Sequence, residues 1–437
     1  MNKNKLITTN TKSVLKTSKD LLRTTNKILS NKHNYLNSIN YKLKLNLENM
    51  REDSSVMFSP DGNYILSRQY NTKTIVVWDI YNSRILFEIN SLPTTSSALF
   101  SPNGKYVILE SYKTTQFFDA KSGEHVISFK APKLMDSTVV SPGGRYIILD
   151  NPYDKCLELT DIVSNSIIKT FQIPNMYFVK SVAFSPCGDN ILIGGTTGAL
   201  KLLDVNTGKE MRGFEGHDGL IKSVAFSPDG KYILSGCSKN IIKLWDINSG
   251  QEIEEFLGYR EGIESVAFSP DGKFIASKSW NSIVRIWDKS NRKELQEFKM
   301  FSNTDINSLF RPDGNYIAIK DDLSVKLFDI NTHKAIIKLE SEDDKWISSV
   351  SFSPNGKYFV SCGKYNTMKL CDINNKELIK LVSFEDSEWI CSTPDGYYNC
   401  SSKAYKYLDF FDESNGILKV IDKNHSIYKE QQREKLL

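Results

Sequence analysis

The chain has no apolar run long enough to cross a membrane, and its N-terminus lacks the apolar core of a secretory signal. It has no C-x-x-C pair among seven cysteines, Cys156, Cys187, Cys237, Cys362, Cys371, Cys391 and Cys400. An odd count without metal-type spacing points to reduced structural thiols in a cytoplasmic protein. A redox pair across a hairpin, Cys362 with Cys371 or Cys391 with Cys400, is the alternative. Histidine is scarce: His33, His125, His217, His333 and His425 lie far apart. No phosphate-binding loop, metal-ligand spacing or nucleophile motif occurs. The expectation is a non-enzyme without metal or cofactor.

Charge of one sign is missing where a nucleic-acid binder would need it. Residues 1–40 hold eight Lys/Arg and only Asp20, while the rest of the chain has 48 basic against 51 acidic groups. The body is near neutral, which argues against nucleic acid. The basic arm also lacks Gly and Pro. Its apolar pairs, Val14-Leu15, Leu21-Leu22, Ile28-Leu29 and Tyr35-Leu36, recur every seven residues, a helical spacing. Ser18, Thr25 and Lys32 thin the seam, so the arm reads as helical or partly disordered. A partner-binding helix or an anchor on acidic lipid are its sharper readings, and the arm is the one part with any claim on a membrane.

What the chain does have is repetition. An x-Pro-x-Gly turn begins at Ser59, Ser101, Ser141, Ser185, Ser227, Ser269, Arg311, Ser353 and Thr393, in steps of 40 to 44 residues. In that turn Pro presets φ at the second position and Gly relieves the chain at the fourth. An Asp closing the third strand-like run keeps the same beat: Asp79, Asp119, Asp161, Asp204, Asp246, Asp288, Asp329, Asp372 and Asp412. Residues 221–250 show the unit clearly, with strands at Ile221–Phe226, Tyr232–Gly236 and Ile241–Trp245, and a fourth run over Glu252–Leu257. Four short antiparallel strands cannot bury both faces alone, so a period near 40 predicts a β-propeller.

Trp78-Asp79, Trp245-Asp246 and Trp287-Asp288 end third strands, and Gly216-His217 precedes the fifth unit. These residues resemble the Trp-Asp and Gly-His marks of the WD40 repeat family, and the resemblance spans residues 41–422. The predicted fold is all-β: a single closed propeller of four-stranded WD40-type blades. A helical arm (1–40) precedes it and a charged tail (423–437) follows. Nine units are counted, giving either nine blades or eight plus a cap. Tyr41–Leu47 alternates like a fourth strand without a blade, and is expected to complete the blade begun by the last three C-terminal strands. The ninth unit is similar to the terminal segment of bacterial WD-repeat proteins that continue into a caspase-like domain. Only the tail follows it here, so no protease activity carries over.

The resemblance implies a structural hydrogen-bond chain of His217, Ser235 and Trp245. The family's turn Asp is replaced by Ser238-Lys239. The same turn, between strands two and three, holds Tyr70, Tyr112, Tyr153, Trp280, Tyr365 and Tyr405 in six units. The loops before first strands add Tyr177, Phe178, Tyr259, Arg260, Trp346 and Trp389. In WD40 propellers these two loop sets line the face that receives partners. Tyr, Trp and Arg are the residue types enriched at binding hot spots. The sequence therefore leads to an aromatic collar that binds one or more proteins, set against rings that merely pack over their own turns. The second functional reading is a regulatory or sensor subunit of a separate effector, such as a caspase-like protease.

Overall fold

The computed structural model describes residues 41–45 and 53–412, apart from short segments that include 70–73, 112–113, 131–138, 152–153, 174–177, 301–308, 341–346, 364–366 and 405–407, and also the strand Lys419–Val420. The arm 1–40 and the tail 423–437 fall outside the described residues. Among those described, no helix is long and apolar enough to cross a membrane.

Residues 221–256 fold as the sequence predicts. Strands Ile221–Phe226, Tyr232–Cys237, Ile242–Asp246 and Glu252–Phe256 pair antiparallel in chain order. The Ser-Pro-Asp-Gly turn is held by its own side chains. Ser227 Oγ accepts the Tyr232 N–H at 2.9 Å and donates to Asp229 at 2.6 Å. The same pair of bonds forms at Ser59 and Ser269. The turn glycine adopts positive φ, 69° at Gly230, a region other residues enter only with strain.

These turns also fix the blade count. The Cα of each turn glycine rests on the turn of the blade before it: Gly104 on Pro60, Gly144 on Asn103, Gly188 on Pro142, Gly230 on Pro186, Gly272 on Pro228, Gly314 on Asp271 and Gly356 on Arg311. The circle closes at Gly62, where a methyl group would lie 3.3 Å from Pro354 Cδ. Eight turns complete the ring, so the propeller has eight blades and the ninth unit is the cap. Among the described residues blade seven shows three strands, and the bridge Phe310↔Ile317 marks the place of its first.

The closing seam lies between blades one and eight. Val56, Phe58, Ile65 and Trp78 of blade one share a core with Val360, Met368 and Leu370 of blade eight. The Phe58 N–H donates to Ser351 Oγ at 3.3 Å across it. Each such side chain contributes about 1.5–3 kcal/mol by burial.

The cap departs from the expected ninth blade. Its first two strands, Trp389–Ser392 and Tyr398–Cys400, continue the sheet of blade eight by pairing with its outer strand Glu377–Ser383. Its third strand, Leu408–Asp412, pairs with Tyr41–Leu45, as the N-terminal alternation implied. Those two strands form a separate three-stranded sheet with Lys419–Val420 and close no blade of the ring. The reason is room: eight turns already fill the circle, and the ninth unit finds an open outer edge instead.

That hairpin reaches both sides of the seam. Trp389 meets Trp78 edge-on at 6.2 Å, Asn399 Nδ2 donates to the Ser83 carbonyl at 3.3 Å, and Cys391 packs in the seam core. It works as a clasp. All seven cysteines are free. Cys391 stands opposite Asn399 and Cys400 opposite Ile390, while Cys362 faces Met368 and Cys371 faces Phe359. Each couple thus points to opposite sheet faces, which removes the cross-hairpin redox pairs.

Candidate functional site

Two sets of loops meet on one face of the ring because the backbone ties them together. The Thr196 N–H donates to the Phe178 carbonyl at 3.1 Å, Ser238 to Leu220 at 2.8 Å, and Trp280 to Gly262 at 3.0 Å. Each bond joins a turn between strands two and three to the loop before that blade's first strand. The Ser-Pro-x-Gly turns lie on the opposite face, joined to the turns before fourth strands by bonds such as Ile247 N–H to Lys231 at 3.0 Å.

On the first face the described residues leave Trp280 51% and Phe178 49% exposed, and Arg260 is exposed as well. Trp280 lies against Gly262, whose missing side chain makes room for it: a methyl there would stand 3.1 Å from the ring. Tyr70, Tyr112, Tyr153, Tyr177, Trp346, Tyr365 and Tyr405 lie outside the described residues. Two expected collar residues need correction. Tyr259 is 7% exposed, and its hydroxyl sits 2.8 Å from Ser277 Oγ and 2.9 Å from the Ser277 carbonyl. Burial pushes its phenol far above the usual range. Trp389 is half-buried in the clasp and belongs to the seam.

Tyr259 explains a pattern across blades. In blade five His217 Nε2 lies 2.6 Å from Ser235 Oγ, which accepts the Trp245 indole N–H at 2.8 Å. In blade six Tyr259, Ser277 and Trp287 repeat that chain, with the Trp287 N–H donating at 2.8 Å. Tyr259 thus stands where blade five has its histidine. In blade one, among the described residues, Ser67 Oγ and Trp78 Nε1 are buried without partners. There the clasp tryptophan supplies contact in place of a bond. The closing aspartates serve the turns. Asp79 accepts from Asn82, Asp246 from Ser249 and Asp288 from Ser290.

The missing turn Asp leaves a mark in blade five. His217 Nδ1 is buried and has no partner, and burial, with Lys243 nearby, lowers the imidazole pKa to about 4. A second buried group in the ring is Asp150 of blade three, whose Oδ2 has no partner. Desolvation raises its pKa to about 6, against the pull of Lys180. Its folded pKa lies above the unfolded value, so its favourable contribution holds at low pH and is lost as pH rises through 6. Asp150→Asn is expected to raise stability at pH 7 by about 2 kcal/mol, with the gain vanishing near pH 4. Chemical denaturation at the two pH values checks this, and an equal effect at both would refute it.

Lys239, which stands with Ser238 in place of the turn Asp, is on this face, and so is Lys222, which was not singled out from the sequence. Lys222 Nζ lies 5.9 Å from the Trp280 ring centroid. The available signal was a lysine inside a mostly apolar first strand, Ile221–Phe226.

A family model described as the IFT122 first β-propeller matches residues 178–435, more than half of the chain. Among solved structures, the C-terminal WD40 domain of Sif2 is similar at TM-score 0.57 and 17% identity, covering 74% of this chain and 95% of that one. The computationally designed Ika8 protein is similar at TM-score 0.56 and 20% identity, covering 74% of this chain and 97% of that one. No curated protein matches in sequence. At these identities the structures speak to fold alone. With the eight-turn ring and the Ser-centred chains of blades five and six, the family match places the protein: it belongs to the family of the IFT122 first β-propeller, a WD40-type β-propeller.

Proposed function

We propose that the protein is a non-catalytic scaffold that holds one or more partner proteins on the face carrying Trp280, Phe178 and Arg260. The observation that carries this reading is the half-exposure of two large aromatic rings on one face of a rigid ring. A ring held half in solvent keeps apolar area to bury on binding and loses little side-chain entropy when it does. WD40 propellers commonly mediate protein–protein contacts, which agrees with it. Seven free thiols, six of them buried, fit a reducing, cytoplasmic setting. The basic arm 1–40 serves as a tether or second contact.

Capture of partners from native lysate tests the reading, with and without residues 1–40. A folded variant carrying Tyr70→Ser, Tyr112→Ser and Trp280→Ser is expected to capture partners about tenfold less well while melting like the parent. Full capture by that folded variant removes the proposal.

A further inference from the structure

Basic residues of blades five and six fall into two groups. One is paired: Lys243 with Glu252 at 2.7 Å and Glu255 at 2.9 Å, Arg285 with Glu297 at 2.7 Å, Arg292 with Glu254 at 2.8 Å, and Lys273 with Asp271 at 2.9 Å. Lys278, buried in the second strand of blade six, meets Glu264 at 3.1 Å. The other group has no carboxylate partner among the described residues; it includes Lys231, Lys289 (over the Tyr232 ring) and Lys293, and the cations around Trp280. Among the described residues, Lys222, Lys239 and Arg260 have no carboxylate partner; Lys222 has only the indole face.

These three cations form one neighbourhood. Gly262 joins them, because a methyl on it would meet both the Ser238 carbonyl at 2.9 Å and the Trp280 ring at 3.1 Å. Lys239 follows Ser238 directly, its stem lying on Gly219, and Arg260 precedes Gly262 by two residues. An ammonium or guanidinium left without a counter-charge beside a half-exposed indole is a site for carboxylates presented on a chain with some apolar area. The acids of the same loops, Asp218 and Glu261, are exposed and leave the neighbourhood net positive by one. They break up the positive field, which suits a few spaced carboxylates better than a continuous polyphosphate.

We propose that the rim of blades five and six, Trp280 with Lys222, Lys239 and Arg260, is the seat for an acidic peptide segment of the partner. This rests on the scaffold reading above and names the chemistry of its partner. Trp280 takes the segment's apolar stem, and the three cations take its side-chain carboxylates.

Fluorescence anisotropy of the full chain with a labelled Glu/Asp-rich peptide containing one Leu tests it. A Gln/Asn-substituted copy of that peptide and labelled single-stranded oligothymidine serve as comparisons. The acidic peptide is expected to bind and to weaken as salt rises, while the Gln/Asn copy and the oligonucleotide bind at least about tenfold less well. Lys222→Gln with Arg260→Gln is expected to cost about tenfold, and Trp280→Ser about thirtyfold, with unchanged melting. Absence of acidic-peptide binding, binding indifferent to these variants, or preference for the oligonucleotide each overturns the proposal. If the charge variants still capture partners from lysate as the parent does, the seat is wrong and the scaffold reading stands. If the aromatic variants capture fully as well, both fall.

Discussion

Ending the chain at Phe384 is expected to destabilise the propeller by about 5 kcal/mol and to open it at one place, the seam between blades one and eight. The truncation removes Trp389 and Cys391, which pack in the seam core, and Ile390, buried on the other face of the same strand, and each side chain of this kind contributes about 1.5–3 kcal/mol. It also bares the outer strand Glu377–Ser383 and the edge of Trp78, whose indole N–H has no partner among the described residues. Hydrogen exchange distinguishes this from general weakening. Protection in Asp53–Phe58 and Ile347–Phe352 should fall well before that in Ile221–Phe226, because ring segments far from the seam keep both neighbours. Trp389→Ala in the full chain keeps the strand pairing and is expected to cost about 2 kcal/mol, less than a fully buried Trp because Trp389 is only partly buried. Uniform loss of protection around the ring would show that the hairpin is no clasp.

The second large effect is acid sensitivity centred on His217. Its folded pKa of about 4 lies below the ordinary value of 6.5, so the neutral imidazole is the stable buried form. The unfolded chain binds the extra proton first as pH falls. Stability from this group is therefore complete above pH 6.5 and is lost as pH falls towards 4, by about 3 kcal/mol. Asp150 acts over nearly the same window with the opposite sign, so the parent's own pH profile does not isolate His217. The informative measurement is a difference. Between pH 7 and 4, His217→Gln should lose about 3 kcal/mol less than the parent, even though it is weaker at pH 7. Ser238→Asp, which restores a carboxylate where related blades carry one, should give Nδ1 a partner and bring the pKa back up. Its acid loss then shrinks while Trp245 stays bonded to Ser235. Parallel pH profiles for the parent and both variants would refute the role given to His217.

The sequence by itself determined the blade. The Ser-Pro-x-Gly turn carries its own hydrogen bonds and its own required φ, and the Asp before each fourth strand binds the turn that follows it. These interactions are local, so they are legible wherever their residues occur. The aromatic substitutions in the turns between strands two and three were equally legible as types, but their exposure was not. Tyr259 and Trp280 lie in adjoining loops of one blade; Tyr259 is buried on Ser277 and Trp280 is half in solvent. Nothing in residue type separates them, because burial depends on what a loop meets across the blade. The number of blades was likewise a tertiary decision. Nine units satisfy the local rules, and only the packing of each turn glycine on the turn before it shows that eight of them close the circle. The ninth unit carries the same x-Pro-x-Gly motif in sequence, yet it pairs with the free outer strand of blade eight and spans the seam, because a completed ring leaves it that edge to bury.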